Sequence, residues 1–235
     1  MDLMHMGDCK GFLALAFGSM LSMLMEDPRL GRVKADRLMA LEDFRKTWYS
    51  QHPGTHQLKR FRVANFTDSY GWANLISPTV KAANTRAATP MMRDMAVLWF
   101  GRGTPIDNAV LRLMSCLAEY YEVLYAEDMF MRDSSVARIR DICNRLGSDW
   151  MELRNWSALK GKLWWKISPK VHRMQHTAIY CLAINPRFIQ GYSEEAFMGT
   201  TAKVWRKSMS GPYQSHVQEV VLLKRAFGVC IRFEM

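Results

Sequence analysis

The chain has 235 residues, of which 49% are apolar and 11% aromatic, so it is no disordered polar chain and can bury one sizeable core or two small ones. Its five cysteines, at 9, 116, 143, 181 and 230, are odd in number and contain no CxxC pair; this suits an intracellular, reducing compartment and not a disulfide framework, and gives a zinc knuckle no support. The net charge of +10 is uneven: residues 1–150 carry 19 Lys+Arg against 17 Asp+Glu, a net of +2, whereas residues 151–235 carry 13 against 5, a net of +8. A segment that basic attracts polyanions, nucleic acid before an anionic membrane surface, with an acidic protein as the alternative partner.

In chain order, residues 10–26 read as a helix that is apolar nearly all round and therefore buried. Its apolar run, from Phe12 to Met25, is too short to span a membrane, and Asp2, His5 and Asp8 precede it where a signal peptide carries positive charge. Residues 33–51 place Val33, Leu38, Leu41, Phe44 and Trp48 at helical spacing, and His52-Pro53-Gly54 closes that helix. Residues 57–66 are short and predict a strand, and residues 70–84 a helix interrupted near Ser77-Pro78.

Residues 87–100 predict a further helix. Gly101-Arg102-Gly103-Thr104-Pro105 is a turn; no strand precedes it and no Lys-Ser/Thr follows, so it is not a phosphate-cradling loop. In residues 107–125, Val110, Leu113, Met114, Leu117, Tyr121 and Leu124 recur at helical spacing. Residues 134–146 predict a helix ended by Gly147, and residues 149–163 another. Most of the 18 Met and eight Trp read as core. The fold expected is mainly α: a single irregular helical domain over 1–235, with about nine helices, at most a few short strands, and a near-neutral part, 1–150, before a basic part, 151–235.

The chemistry-bearing residues concentrate in that basic part. Lys160, Lys162, Lys166, Lys170 and Arg173 interleave with Trp164 and Trp165; lysines meet phosphates and indoles stack on bases. Pro169 suits the first turn of a helix that sets His172 and His176 on one face, and Asn185-Pro186 breaks it. Ser193 is placed to cap a second helix that opens on Glu194 and Glu195, where acids suit the positive helix end, and later carries Lys203, Trp205, Arg206 and Lys207. The HxxxH pair lacks the Glu that follows the first His in zinc proteases, and only His5 or Glu195 suggests itself as a third ligand, so no zinc is expected. Ser19 and Ser115 have no local His-Asp partner for nucleophilic hydrolysis.

The sequence PxxHxxxH, then Asn185-Pro186, then an acid-led helix resembles the C-terminal end of CACTA-type (EnSpm-like) DDE transposases, and more closely still dinoflagellate proteins with the same ending. Pro169, His172, His176, Asn185, Pro186, Glu195 and Gly199 match its positions, and Asp2-Leu3-Met4-His5 matches the family's Asp-x-Met-His element, which precedes a helical insertion. The resemblance implies the helical insertion and closing helices of an RNase H-like core that cuts and joins DNA with Mg²⁺. It assigns Asp2 and Glu195 as catalytic carboxylates and metal ligands, Asp8 and Glu194 as neighbours able to substitute, and His5, His172 and His176 as supporting residues. Two-metal chemistry needs hard oxygen ligands, so Asp2 and Glu195 should converge in space. The family's sheet and a further Asp would lie before Met1, so the chain is expected to be a fragment, inactive alone. The function expected is therefore that of a transposase-derived DNA-binding protein. The alternatives are a non-enzymatic helical interaction module and, third, a zinc-dependent hydrolase. DNA is the expected partner, a membrane is not, and homo-oligomerisation stays open.

Overall fold

A computed structural model describes residues 11–75, 82–101, 103–169, 171–172 and 184–186, all within the compact unit Met1–Gln190. The described chain is mainly α: α1 (Phe12–Glu26), α2 (Lys34–Gln51), α3 (Ala82–Ala87), α4 (Thr89–Phe100), α5 (Pro105–Ala126) and α6 (Asp133–Leu159). Among the described residues there is no sheet; Thr67 pairs with Ala73 and Phe130 with Ile184 as isolated bridges.

α1 is buried on every side, as its composition predicts, because α2, α3, α4 and α5 all touch it. Leu13, Phe17, Met20, Leu21 and Leu24 are fully enclosed, and each such side chain contributes about 1.5–3 kcal/mol by leaving water. One side of α1 is covered by irregular chain. The Leu75 N–H donates to the Ala14 carbonyl at 2.8 Å, and a Cβ on Gly18 would lie 2.5 Å from the Asn74 backbone. Only a residue without a side chain lets that loop cross α1 there. No helix among the described residues is long and apolar enough to cross a membrane.

α4, α5 and α6 are successive helical hairpins, with α5 packed against both neighbours. Thr104 caps α5, its Oγ1 accepting the Asp107 N–H at 3.0 Å, and Pro105 occupies the first turn. The predicted stripe of α5 is buried, with Tyr120, Tyr121 and Cys116; Cys143 of α6 is buried too, and burial raises the Cys116 thiol pKa.

Three expectations are corrected. Residues 134–163 do not form two helices: α6 runs unbroken to Leu159, because Leu146, Trp150 and Leu153 continue one buried stripe across Gly147. A glycine costs a helix about 1 kcal/mol, less than that packing supplies. Residues 57–66 find no partner strand among the described residues, and include a 3-10 turn at Val63–Asn65. Residues 70–75 are not helical, because Asp68 folds them into a turn: its Oδ1 accepts the N–H groups of Tyr70 and Trp72, each at 2.9 Å, and Gly71 adopts φ +79°.

The α5–α6 connection is held from outside the hairpin. Asn185 is fully buried and its Nδ2 donates to the carbonyls of Leu124, at 2.8 Å, and Glu127, at 3.1 Å, near the end of α5. Glu127 meets the start of α6, accepting from the Arg132 N–H at 3.1 Å, the Arg132 guanidinium and the Ser135 hydroxyl at 2.8 Å. The hydrogen bonds from Arg132, then that from Ser135, hold the Glu127 carboxyl down at a pKa of about 2.

Candidate nucleic-acid interface

The basic loop after α6 is built onto α1. Gly161, at φ +65°, turns the chain back at the C-terminus of α6. The Leu163 carbonyl accepts the Ala73 N–H at 2.8 Å, the Trp164 carbonyl accepts from the Ser157 hydroxyl at 3.2 Å, and the Trp165 carbonyl accepts from the Trp150 indole at 3.2 Å. The Trp165 N–H donates to Ser19 Oγ of α1 at 2.8 Å. Trp165 itself sits at φ 53°, a left-handed conformation that costs a non-glycine residue about 1–3 kcal/mol and persists because these bonds and its burial over-determine it.

Neither predicted indole presents an open face. Trp165 is fully enclosed, edge-on to Trp150 at 5.7 Å, and Trp164 is buried between Trp156, stacked at 5.9 Å, and the Lys162 ammonium, 5.5 Å from its ring. The stacking role expected of Trp164 and Trp165 is corrected to packing: the loop turns both rings back onto α1 and α6.

The exposed aromatic at this place is Tyr70, 80% accessible, in the turn that Asp68 organises. Lys166 lies 5.9 Å from the Tyr70 ring and 5.6 Å from the Trp72 ring, and pairs with Asp68 Oδ2 at 3.4 Å. Arg154 of α6 stands 5.0 Å from Trp72. Lys162 pairs with Glu26 at 2.6 Å, and Lys160 is exposed. The surface thus combines four cations with one accessible ring, two of the cations held by carboxylates that a phosphate would have to replace. Sequence reading missed Tyr70, Trp72 and Arg154; the only signal was the turn signature Thr67-Asp68-Ser69-Tyr70-Gly71-Trp72, obscured by the prediction of a helix there.

Ser168 opens a helical turn at Pro169, as the sequence predicts, with the His172 N–H donating to the Ser168 carbonyl at 3.2 Å and the His172 side chain exposed. Lys170, Arg173, His176, Lys203, Trp205, Arg206 and Lys207 lie outside the described residues, as do Asp2, His5, Asp8, Glu194 and Glu195. Among the described residues no three His, Cys, Asp or Glu side chains gather to hold a metal ion. Comparison with protein-family models, with curated proteins and with solved structures finds no match.

Proposed function

We propose that the chain is a DNA-binding protein descended from a DDE-type transposase and that it holds DNA mainly through phosphates. The observation that carries the reading is the loop from Lys160 to Lys166. It is fixed at backbone level to α1 and α6, sets Lys166 beside exposed Tyr70, and stands at the head of a segment with a net charge of +8. The transposase ancestry rests on the two short motifs alone. The Mg²⁺ such enzymes use would be held by Asp2 and Glu195; the DNA contact does not depend on it. In a eukaryotic host the protein would act in the nucleus. The test is a fluorescence-anisotropy titration of the purified chain with duplex DNA. Binding with little sequence preference and a steep salt dependence supports the reading, and absence of binding at low salt removes it.

One observation favours the second reading, a helical protein-interaction module: Phe130 is 70% exposed, with Met129 and Ile184 half-exposed beside it. Under that reading the chain captures a protein through this apolar corner and shows no salt-dependent affinity for DNA.

A further inference from the structure

We infer that the segment from His56 to Arg62 is a second nucleic-acid contact, far in sequence from the first, whose Lys59, Arg60 and Arg62 take backbone phosphates. The inference rests on the nucleic-acid reading but on different residues, in the part of the chain that is near-neutral overall. Between Asp43 and Asp68 the sequence contains no Asp or Glu, yet it holds Arg45, Lys46, Lys59, Arg60 and Arg62. Two of these five cations are spent locally: Arg45 grips Glu42 through Nη2 at 3.1 Å, and Lys46 reaches Asp43 at 3.7 Å. Lys59, Arg60 and Arg62 are all exposed, and none of them forms an ion pair with a described residue. Lys162 and Lys166 of the first surface, by contrast, are each held by a carboxylate.

The backbone beneath the three cations is fixed. Leu58 and Phe61 are buried and act as pegs. The Leu58 N–H donates to the Tyr49 hydroxyl at 2.9 Å, and the Leu58 carbonyl accepts from Arg45 at 2.9 Å. The Phe61 N–H donates to Glu42, and the Gln57 carbonyl accepts from Asn84 at 2.7 Å. Among the described residues no strand pairs with the segment; side chains of α2 and α3 take the place of a neighbouring strand. Arginine forks match phosphate oxygens two at a time, and a strap that is already ordered loses little conformational freedom on binding. A strap whose cations merely kept the protein soluble would have no need of four side-chain anchors under a run of seven residues.

The test compares wild type, Lys59→Ala/Arg60→Ala/Arg62→Ala and Arg60→Lys/Arg62→Lys by anisotropy on a duplex of about 20 base pairs, over a salt series. The alanine variant is expected to flatten the log–log salt slope by about 2–3, since each neutralised phosphate contributes about 0.9 on duplex DNA. Its melting temperature is expected to match wild type, because the three side chains are exposed. The lysine variant keeps the charge and loses the fork, so its slope should match wild type while its affinity falls. An alanine variant with the wild-type slope overturns the inference and leaves the first interface standing. A parallel Lys160→Ala/Lys166→Ala variant that binds as wild type, while the strap variant does not, removes the first interface and leaves the strap. A wild type that binds no DNA removes both.

Discussion

Ser19 Oγ accepts the backbone N–H of Trp165 at 2.8 Å, joining α1 to the basic loop across 146 positions of sequence. Ser19 is fully buried, and this hydrogen bond gives its hydroxyl a partner inside a mostly apolar helix. Ser19→Ala would leave the Trp165 N–H enclosed without an acceptor while removing almost no volume. We expect a loss of about 1–3 kcal/mol in equilibrium denaturation. We also expect Trp165 to relax from its left-handed backbone, seen as a change in its fluorescence. A variant as stable as wild type, with unchanged emission, would show that the loop is held elsewhere.

Asn185 is the second long-range tie. Its amide closes the end of α5 by donating to Leu124 and Glu127, so Asn185→Ala uncovers two carbonyls in a buried place. The expected cost is about 1–3 kcal/mol, with Asn185→Asp no better, because a carboxylate has no proton to donate there. Hydrogen exchange should quicken at the end of α5 before it does so in α1. Equal protection in both variants and wild type would rule out the tie.

These two contacts mark where the sequence stops being legible. Helices α1 and α5 could be read, α1 from its all-round apolar character and α5 from its apolar stripe; that Thr104 and Pro105 of the preceding turn start α5 could not. Periodicity reports only which face of a helix is buried. It cannot say that Gly147 lies inside a continuous stripe, because the signal that ends a helix and the cost a packed helix tolerates are the same residue. Nor can it say that Trp165 faces inward: Lys162-Leu163-Trp164-Trp165-Lys166 reads as a basic-aromatic patch until Ser19, far away, claims the backbone. Asn185 reads from sequence only as a helix breaker before Pro186, whereas its role on α5 is a property of the tertiary fold. Residues 57–66 read as a strand from their composition; what holds residues 57–61 is side chains of α2 and α3, which no pairing pattern records.

Glu127 makes acid stability a test of the α5–α6 connection. Its folded pKa, about 2, lies below the ordinary 4.5, so ionisation favours the folded state. That contribution is complete above pH 4.5 and is lost as the pH falls toward 2. Glu127→Gln removes it, and the difference in melting temperature between wild type and variant should be constant at neutral pH and shrink steadily below about pH 5. A difference independent of pH would mean that shape, not charge, holds Arg132 and Ser135 in place.

The pair between Asp68 and Lys166 gives the sharpest discrimination between a working interface and a solvated face. Asp68 does two things with two oxygens: Oδ1 holds the Tyr70–Trp72 turn, and Oδ2 pairs with Lys166. Asp68→Asn retains an acceptor for the turn and removes the charge. If the loop meets phosphates, one negative charge leaves the neighbourhood of the bound DNA and Lys166 is released to it. Two unit charges about 6–8 Å apart in water interact by about 0.5–0.7 kcal/mol, so affinity for duplex DNA should rise about threefold at low salt and the gain should fade as salt is added. Tyr70→Ala should lower affinity for single-stranded DNA more than for duplex, since only an unpaired base offers a face to the ring. If Lys166 instead serves only to tether the turn, Asp68→Asn loosens the loop and leaves DNA binding unchanged or weaker. The sign of that one change therefore separates the two roles, and it does so in a variant whose turn keeps its hydrogen bonds.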